Sequence, residues 1–250
     1  MKSYQVSFFD ESQRLAALSR LKDPLEELKK HIDFEMFRPI LTDALRNAER
    51  KSPAGRKPLD VILMFKALII QRLFNLSDEQ LEYQITDRLS FTRFLGLHIG
   101  ETIPDYSSFW RFREALAEKG LDRELFERFS TKLEADGVFA KAGSIIDATI
   151  VEVPRQRNSR EVNARIKAGE VPAEWDDHKR VHKDTDARWV KKNGVNYFGY
   201  KDHIKTDAGT SLITDYRVTV ASTHDSVVLK ELLSEADSGK PLHADGAYTG

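Results

Sequence analysis

Residues 144–152 read SIIDATIVE, and residues 242–246 read LHADG. In each stretch one aspartate, Asp147 or Asp245, follows a short run of apolar or small residues that predicts a buried β-strand. A carboxylate beside such a strand is costly unless it is paired, hydrogen-bonded or bound to a cation. Two such strands side by side would present hard oxygen ligands to one magnesium or manganese ion, an arrangement suited to phosphodiester chemistry. The alternative is that both residues are ordinary strand-end aspartates solvated in turns.

The composition fits a folded protein with one large domain or two smaller ones. The chain has 250 residues, of which 40% are hydrophobic and 10% aromatic, so a sizeable core can form. It contains no cysteine, which excludes disulfides, thiolate metal sites and cysteine nucleophiles. The amino terminus lacks the apolar core of a signal peptide, and the best apolar run, residues 61–70, is interrupted by Lys66. We therefore expect a soluble cytoplasmic protein without a membrane segment.

The periodicity of apolar residues changes near Gly143. Before it, three- and four-residue steps predict helices, one after Pro58, one capped by Ser77 with Gln80, and one that begins at Pro104-Asp105. After it, strand-like alternation predominates. This change predicts an α+β protein with a helical N-terminal domain at residues 1–140 and a mixed domain at residues 141–250. The expected role of the helical domain is DNA binding or assembly.

The second domain reads as strand, long polar insertion, hairpin, helix and strand. Residues 145–153, 197–204, 212–220 and 241–244 are the predicted strands, and Asp225 is the predicted N-cap of the helix. Residues 155–196 read as a basic and irregular insertion. This order fits a ribonuclease-H-like α/β domain, in which the first and fourth strands are adjacent and each delivers a carboxylate.

Basic charge is concentrated between the two aspartate strands. The whole chain carries a net charge of −1, but residues 155–205 contain 13 Lys and Arg against 8 Asp and Glu. Residues 206–250 contain 3 against 7. A polyanion could be drawn toward such a region, although a solvated surface insertion would have the same composition. The candidate phosphate contacts are Arg155, Arg157, Arg160, Lys201 and Lys205, together with Arg56 and Lys57 in a basic loop of the first half. His203 is more typical of a surface or packing histidine.

Several blocks, in order along the chain, resemble the DDE transposases of bacterial insertion sequences, most closely the insertion-sequence-five type within the insertion-sequence-four superfamily. The blocks are DAT at residues 147–149, DTDARW at 184–189, YFGYK at 197–201, THDS at 223–226 and ADGAY at 244–248, with GRKP at 55–58, LSDEQ at 76–80, RFLGL at 93–97 and the stretch from Pro104-Asp105 to Phe112-Arg113 in the first half. The resemblance covers almost the whole chain, and the ordered series is more specific than any single block.

The resemblance implies roles for particular residues. Asp147 and Asp245 would be the first two members of the catalytic triad and would bind magnesium or manganese. The implied activity is metal-dependent cleavage and transfer of DNA strands. The implied partners are double-stranded DNA, as terminal inverted repeats and target DNA, and further copies of the chain, as a homo-oligomer on DNA.

The family's third acid is a glutamate on a helix well beyond the second aspartate. Glu152 lies too close to Asp147 to replace it, and Glu231 precedes the second aspartate strand. We therefore expect a chain truncated before the third catalytic acid and inactive as it stands. Two alternatives remain: a non-catalytic DNA-binding relict that regulates or co-assembles with a full-length enzyme, and an unrelated metal-dependent hydrolase, against which the blocks of the first half argue.

Overall fold

The computed structural model describes residues 10–45, 59–98 and 100–248. The chain divides into two units, Met1–Phe129 and Ser130–Gly250. In the described residues the first unit is helical, and the second combines a five-stranded sheet with short helices. Helices therefore precede a mixed unit, as the change of periodicity predicts. No helix in these ranges is long and apolar enough to cross a membrane.

The helices of the first unit bury one apolar core. They are α1 (Asp10–Arg20), α2 (Pro24–His31), α3 (Arg38–Ala44), α4 (Val61–Leu73), α5 (Asp78–Asp87), α6 (Leu89–Leu95), α7 (Tyr106–Glu118) and the start of α8 (Leu121–Ala135), with a 3-10 turn at Phe34–Phe37. Ala67 and Ile70 of α4, Leu81 and Ile85 of α5, and Phe109 of α7 are fully buried in that core. The three- and four-residue spacing of apolar side chains is what allows each helix to present one face to it.

Side-chain caps fix where these helices begin. Asp60 accepts hydrogen bonds from the amides of Ile62 and Leu63 at the start of α4. Ser77 and Gln80 form the predicted capping box of α5, since each side chain accepts from the other residue's amide. Asp105 caps α7 by accepting from Ser108. Each cap satisfies amides that the helix itself leaves unpaired and contributes on the order of 1 kcal/mol.

The second unit contains the sheet. Its strands are β1 (Ser144–Glu152), β2 (Arg188–Lys192), β3 (Val195–Asp207), β4 (Ile213–Val220) and β5 (Leu242–Ala244), and its helices are α9 (Arg160–Lys167), α10 (Asp177–Val181) and α11 (Asp225–Leu232), with 3-10 turns at Glu235–Asp237 and Gly246–Tyr248. The insertion expected to be irregular thus holds α9, α10 and β2. The prediction for the cap of α11 was wrong by one residue, because His224 is the N-cap and accepts from the amide of Ser226.

β1 occupies the middle of the sheet. It runs antiparallel to β3, from Ser144 opposite Asp207 to Glu152 opposite Gly199. Its other edge pairs in parallel with β5. The edge of β3 that faces away from β1 pairs with β2 along residues 195–199 and with β4 along residues 200–206. The expected neighbours, the first strand and the strand that precedes Asp245, are therefore adjacent.

The two faces of the sheet are covered differently. α11 packs on one face, where Ile146, Val228, Leu232 and Tyr248 form a buried cluster. On the other face, apolar side chains reach solvent, including Ile145 at 39% and Val218 at 59% of their full exposure. Because side chains alternate along a strand, Asp147 lies on the open face while its neighbour Ile146 is buried.

Candidate active site

Asp147 and Asp245 occupy equivalent positions in the parallel register of β1 and β5. The last pair that joins β1 to β5 is Ile146 opposite Ala244, and each aspartate is the next residue along its chain. Neighbouring strands lie roughly 4.8 Å apart. The residues that directly follow the last pair of two parallel strands therefore start from adjacent backbone positions. Both aspartates are exposed. The structure thus brings together the two residues that the strand-end pattern singled out.

Backbone amides orient the two carboxylates. Oδ1 of Asp147 accepts a hydrogen bond of 2.7 Å from the amide of Ala148. Oδ1 of Asp245 lies 3.4 Å from the amide of Ala247, and the carbonyl of Asp245 accepts from Tyr248 at 3.0 Å. Asp245 therefore stands at the start of the turn Gly246–Tyr248, which fixes the direction in which the chain leaves β5.

A buried polar contact supports the site from the face that α11 covers. The ring of His203 is fully buried, with Nδ1 at 3.1 Å from the hydroxyl of Tyr248 and Nε2 at 3.0 Å from Oγ1 of Thr219. Burial lowers the pKa of His203, so the ring is neutral at pH 7 and packs as a hydrogen-bonded core residue. Burial also raises the pKa of Tyr248, and the charges of Asp225, Asp147 and Asp245 raise it further. The charges of both candidate carboxylates thus raise the pKa of the same buried phenol, that of Tyr248.

The donor set fits a divalent cation in part. Carboxylate oxygens are the ligands that magnesium and manganese prefer, and Asp147 and Asp245 supply two of them from adjacent strands. Within residues 10–45, 59–98 and 100–248, however, no group of three or more His, Cys, Asp or Glu side chains is arranged to hold a metal ion. The described part of the site is therefore two carboxylates without a third.

Asp202 is a carboxylate on the open face that the sequence interpretation missed. It pairs with Thr149, so the register places it on the same face of the sheet as Asp147. Its Oδ1 is buried and has no hydrogen-bond partner among the described residues. Burial raises the pKa of this carboxyl group. The alternation of residues 197–204 was the available signal, but it does not tell which face of the strand is buried.

The three candidate arginines lie just beyond β1. Arg155 and Arg157 line a polar cavity of about 530 Å³ together with His182 and Lys183. Arg160 is the first residue of α9. All three arginines are exposed, and the guanidinium of Arg155 also donates to the carbonyl of Asn196. These arginines thus form an exposed basic group beyond the end of β1.

The two candidate lysines on β3 were expected to contact phosphates, but both form ion pairs within the second unit. Lys201 donates to Asp225 at 2.7 Å and to the carbonyl of Thr223 at 2.8 Å. Lys205, whose side chain is only 7% exposed, donates to Asp237 at 3.0 Å. Both ammonium groups are paired inside the unit: Lys201 joins β3 to the start of α11, and Lys205 joins it to the turn Glu235–Asp237. The other two candidates, Arg56 and Lys57, lie outside the described residues.

Two hard carboxylates on adjacent strands define a class of site suited to phosphoryl transfer. Comparison with known families agrees with that class. Residues 139–250 match the family described as Transposase DDE domain, and residues 13–115 match the family described as Transposase domain (DUF772). Together the two matches support a DDE transposase. No solved structure matches the chain significantly.

The placement of Lys205 leads to a prediction about stability. Asp237 accepts hydrogen bonds from Lys205, Ser144 and Ser234. Burial opposes its ionisation, but the Ser234 amide and Lys205 outweigh burial and hold the pKa of Asp237 below its ordinary value. We expect Lys205→Ala to lower the free energy of unfolding by roughly 3 kcal/mol at pH 7, because it removes a buried cation and leaves the partly buried carboxylate of Asp237 without it.

Urea unfolding of Lys205→Ala at several pH values tests this prediction. A carboxyl group with a depressed pKa stabilises the fold at neutral pH, and that contribution is lost as the pH falls through its folded pKa. The deficit of the variant should therefore shrink at acid pH. Arg157→Ala, which removes an exposed charge, is the matched control and should change stability by less than about 0.5 kcal/mol. Equal effects of the two substitutions would contradict a structural role for Lys205.

Proposed function

We propose that the chain is a transposase of a bacterial insertion sequence, of the insertion-sequence-five type, that binds the ends of its element and catalyses metal-dependent cleavage and transfer of DNA strands. The observation that carries the proposal is the parallel register of β1 and β5, which sets Asp147 and Asp245 beside each other. The two transposase-domain matches support the same assignment.

The sheet supports a ribonuclease-H-like fold for residues 141–250. β1, β3 and β4 form an antiparallel series, and β5 joins the opposite edge of β1 in parallel. This is the neighbour relation that the proposed fold requires, since it brings the ends of the first and last strands to one edge. Residues 155–196 then form an insertion between β1 and β3, and the helical residues 1–140 serve DNA binding or assembly.

In the proposed mechanism, Asp147 and Asp245 would hold magnesium or manganese. A bound ion supplies polarisation of the scissile phosphate and a nucleophilic water at neutral pH. The residues of the chain then have three tasks. The amide of Ala148 and the turn after Asp245 orient the two carboxylates. The exposed arginines beyond β1 would bind phosphates of the duplex, and copies of the chain would assemble on the paired element ends.

A non-catalytic DNA-binding protein is the second candidate function. Among the described residues no group of three or more His, Cys, Asp or Glu side chains is arranged to hold a metal ion, and binding of element ends does not need such a group. Such a chain could regulate a full-length transposase or co-assemble with it. The two candidates share DNA binding and differ in whether the chain itself cleaves.

Strand cleavage tests the first candidate. The substrate is a labelled duplex that carries the ends of the insertion sequence encoding the chain, incubated with manganese. The first candidate predicts metal-dependent nicking at the element ends, and it predicts that Asp147→Asn and Asp245→Asn each abolish it, because each removes a charged oxygen ligand. Glu152→Gln, at the far end of β1, is the matched control and should leave cleavage unchanged.

Cleavage that survives both aspartate substitutions would contradict the assigned site. Binding of the same duplex without cleavage, in manganese as well as magnesium, would reject the first candidate and support the second. Failure of the wild-type chain to bind the duplex at all would reject both.

The arginine cluster leads to a prediction about salt dependence. Each phosphate contact contributes about 0.9 to the slope of log K against log salt for duplex DNA. We expect the triple variant Arg155→Ala/Arg157→Ala/Arg160→Ala to bind duplex DNA more weakly and with a shallower slope than the wild type. Fluorescence anisotropy over a range of salt concentrations measures both quantities.

The matched control for the arginines removes three exposed lysines elsewhere, as Lys119→Ala/Lys230→Ala/Lys240→Ala. It lowers the net charge by the same amount, so a general effect of charge would change both variants equally. An unchanged slope in the arginine variant would show that the DNA lies elsewhere, with the basic loop around Arg56 and Lys57 as the next candidate.

A further inference from the structure

The β2–β3 hairpin extends past the end of β1. The last pair between β1 and β3 is Glu152 opposite Gly199, and Val153 adds one hydrogen bond to the carbonyl of Phe198. Beyond that point, residues 195–197 of β3 pair with β2 and with no other strand in the described parts of the chain. A two-stranded ribbon therefore projects from the sheet. We call residues 188–198 the ribbon.

A tight turn closes the ribbon. Asn193 and Gly194 connect the strands, and both have positive φ, at 53° and 82°. Two central residues with positive φ are the requirement of a type I′ turn, whose twist matches that of paired strands. Asparagine and glycine are the residues that adopt this conformation most readily. The ribbon thus ends in a narrow and well-defined tip.

The charge of the ribbon is of one sign. Residues 188–198 contain three basic residues and no acidic residue. The guanidinium of Arg188 is anchored at the base, where it donates to the carbonyls of Thr185, Asp186 and Ala187. Lys191 and Lys192 near the tip are exposed, and within the described residues neither forms an ion pair. Because successive side chains alternate, these two lysines point to opposite faces of the ribbon.

One face of the ribbon adds an aromatic and a further cation. The indole of Trp189 is 48% exposed and packs against the ring of Phe198, with 5.2 Å between the ring centroids. The guanidinium of Arg155 lies 5.6 Å from the centroid of the indole. Arg155 also donates to the carbonyl of Asn196, on the strand opposite Lys191. Arg155, Trp189 and Lys191 therefore share one face.

We infer that the ribbon is a duplex-DNA contact element that enters a groove tip first. The inference rests on the proposed function. The major groove of B-DNA, about 12 Å wide, admits a two-stranded ribbon. Lysines on opposite faces of the tip would meet the phosphates on opposite walls of the groove, and Arg155 would add a contact at the base. Uniform positive charge suits a polyanion.

The test measures binding of a labelled 30-base-pair duplex of mixed sequence by fluorescence anisotropy at several salt concentrations. We expect Lys191→Ala/Lys192→Ala to lower affinity and to reduce the salt slope by about 1.8, which corresponds to two phosphate contacts. Lys230→Ala/Lys240→Ala removes the same charge from exposed positions outside the ribbon and should keep the wild-type slope. Thermal unfolding of both variants checks that the fold is retained.

A second measurement locates the DNA. Addition of the duplex should change the tryptophan fluorescence of the wild type, and Trp189→Phe should remove that change while Trp110→Phe, which replaces an equally exposed indole on α7, should keep it. A wild-type chain that fails to bind the duplex would reject the proposed function. A wild-type chain that binds, with an unchanged slope in the lysine variant and an unchanged signal in Trp189→Phe, would reject the ribbon alone.

Discussion

The parallel pairing of β5 with β1 is the interaction on which the candidate site depends. It consists of three residue pairs, from Ser144 opposite Leu242 to Ile146 opposite Ala244. Gly143 makes it possible, because a Cβ at this position would lie 2.7 Å from the carbonyl oxygen of Pro241, and its φ of +148° is one that other residues rarely adopt. Ser144 then donates its amide to that carbonyl at 3.0 Å. Two carboxylates that are 98 residues apart in the chain become neighbours through this contact.

The elements that could be predicted from the sequence are those with a strong local signal. The capping box of Ser77 and Gln80 and the β-branched run of β1 each favour their own conformation. The expectation that β5 is buried was wrong, because all three of its residues are exposed and the strand depends on its pairing with β1. α9 and α10 were missed because they are short and polar, and Ile166 is the single buried residue that α9 presents. β2 was missed although Asn193-Gly194, a strong hairpin signal, stands beside it. The polar composition of residues 155–196 masked that signal.

The site shows the same division between local and long-range information. The position of a carboxylate after a strand is local, so Asp147 and Asp245 could be found from the sequence. The state of Lys205 is not local, because its burial depends on Asp237, 32 residues later, and on the side of the sheet that α11 covers. Asp202 and Lys205 alternate on one strand, and only the packing of α11 decides which of them faces the covered side. Charge counts along the sequence cannot separate a buried ion pair from an exposed DNA contact.

The most direct test of the β1–β5 pairing is a disulfide between the two aspartate positions. The natural chain has no cysteine, so Asp147→Cys/Asp245→Cys carries only the two introduced thiols. A separation of roughly 4.8 Å between adjacent strands falls in the range of about 4.4–6.8 Å that disulfides span between Cα atoms. Glu152→Cys/Asp245→Cys, displaced by roughly 16 Å along β1, is the control. Under mild oxidation, mass spectrometry should show an intramolecular disulfide in the first variant and free thiols in the second. Free thiols in the first variant, or equal crosslinking in both, would contradict the adjacency of Asp147 and Asp245.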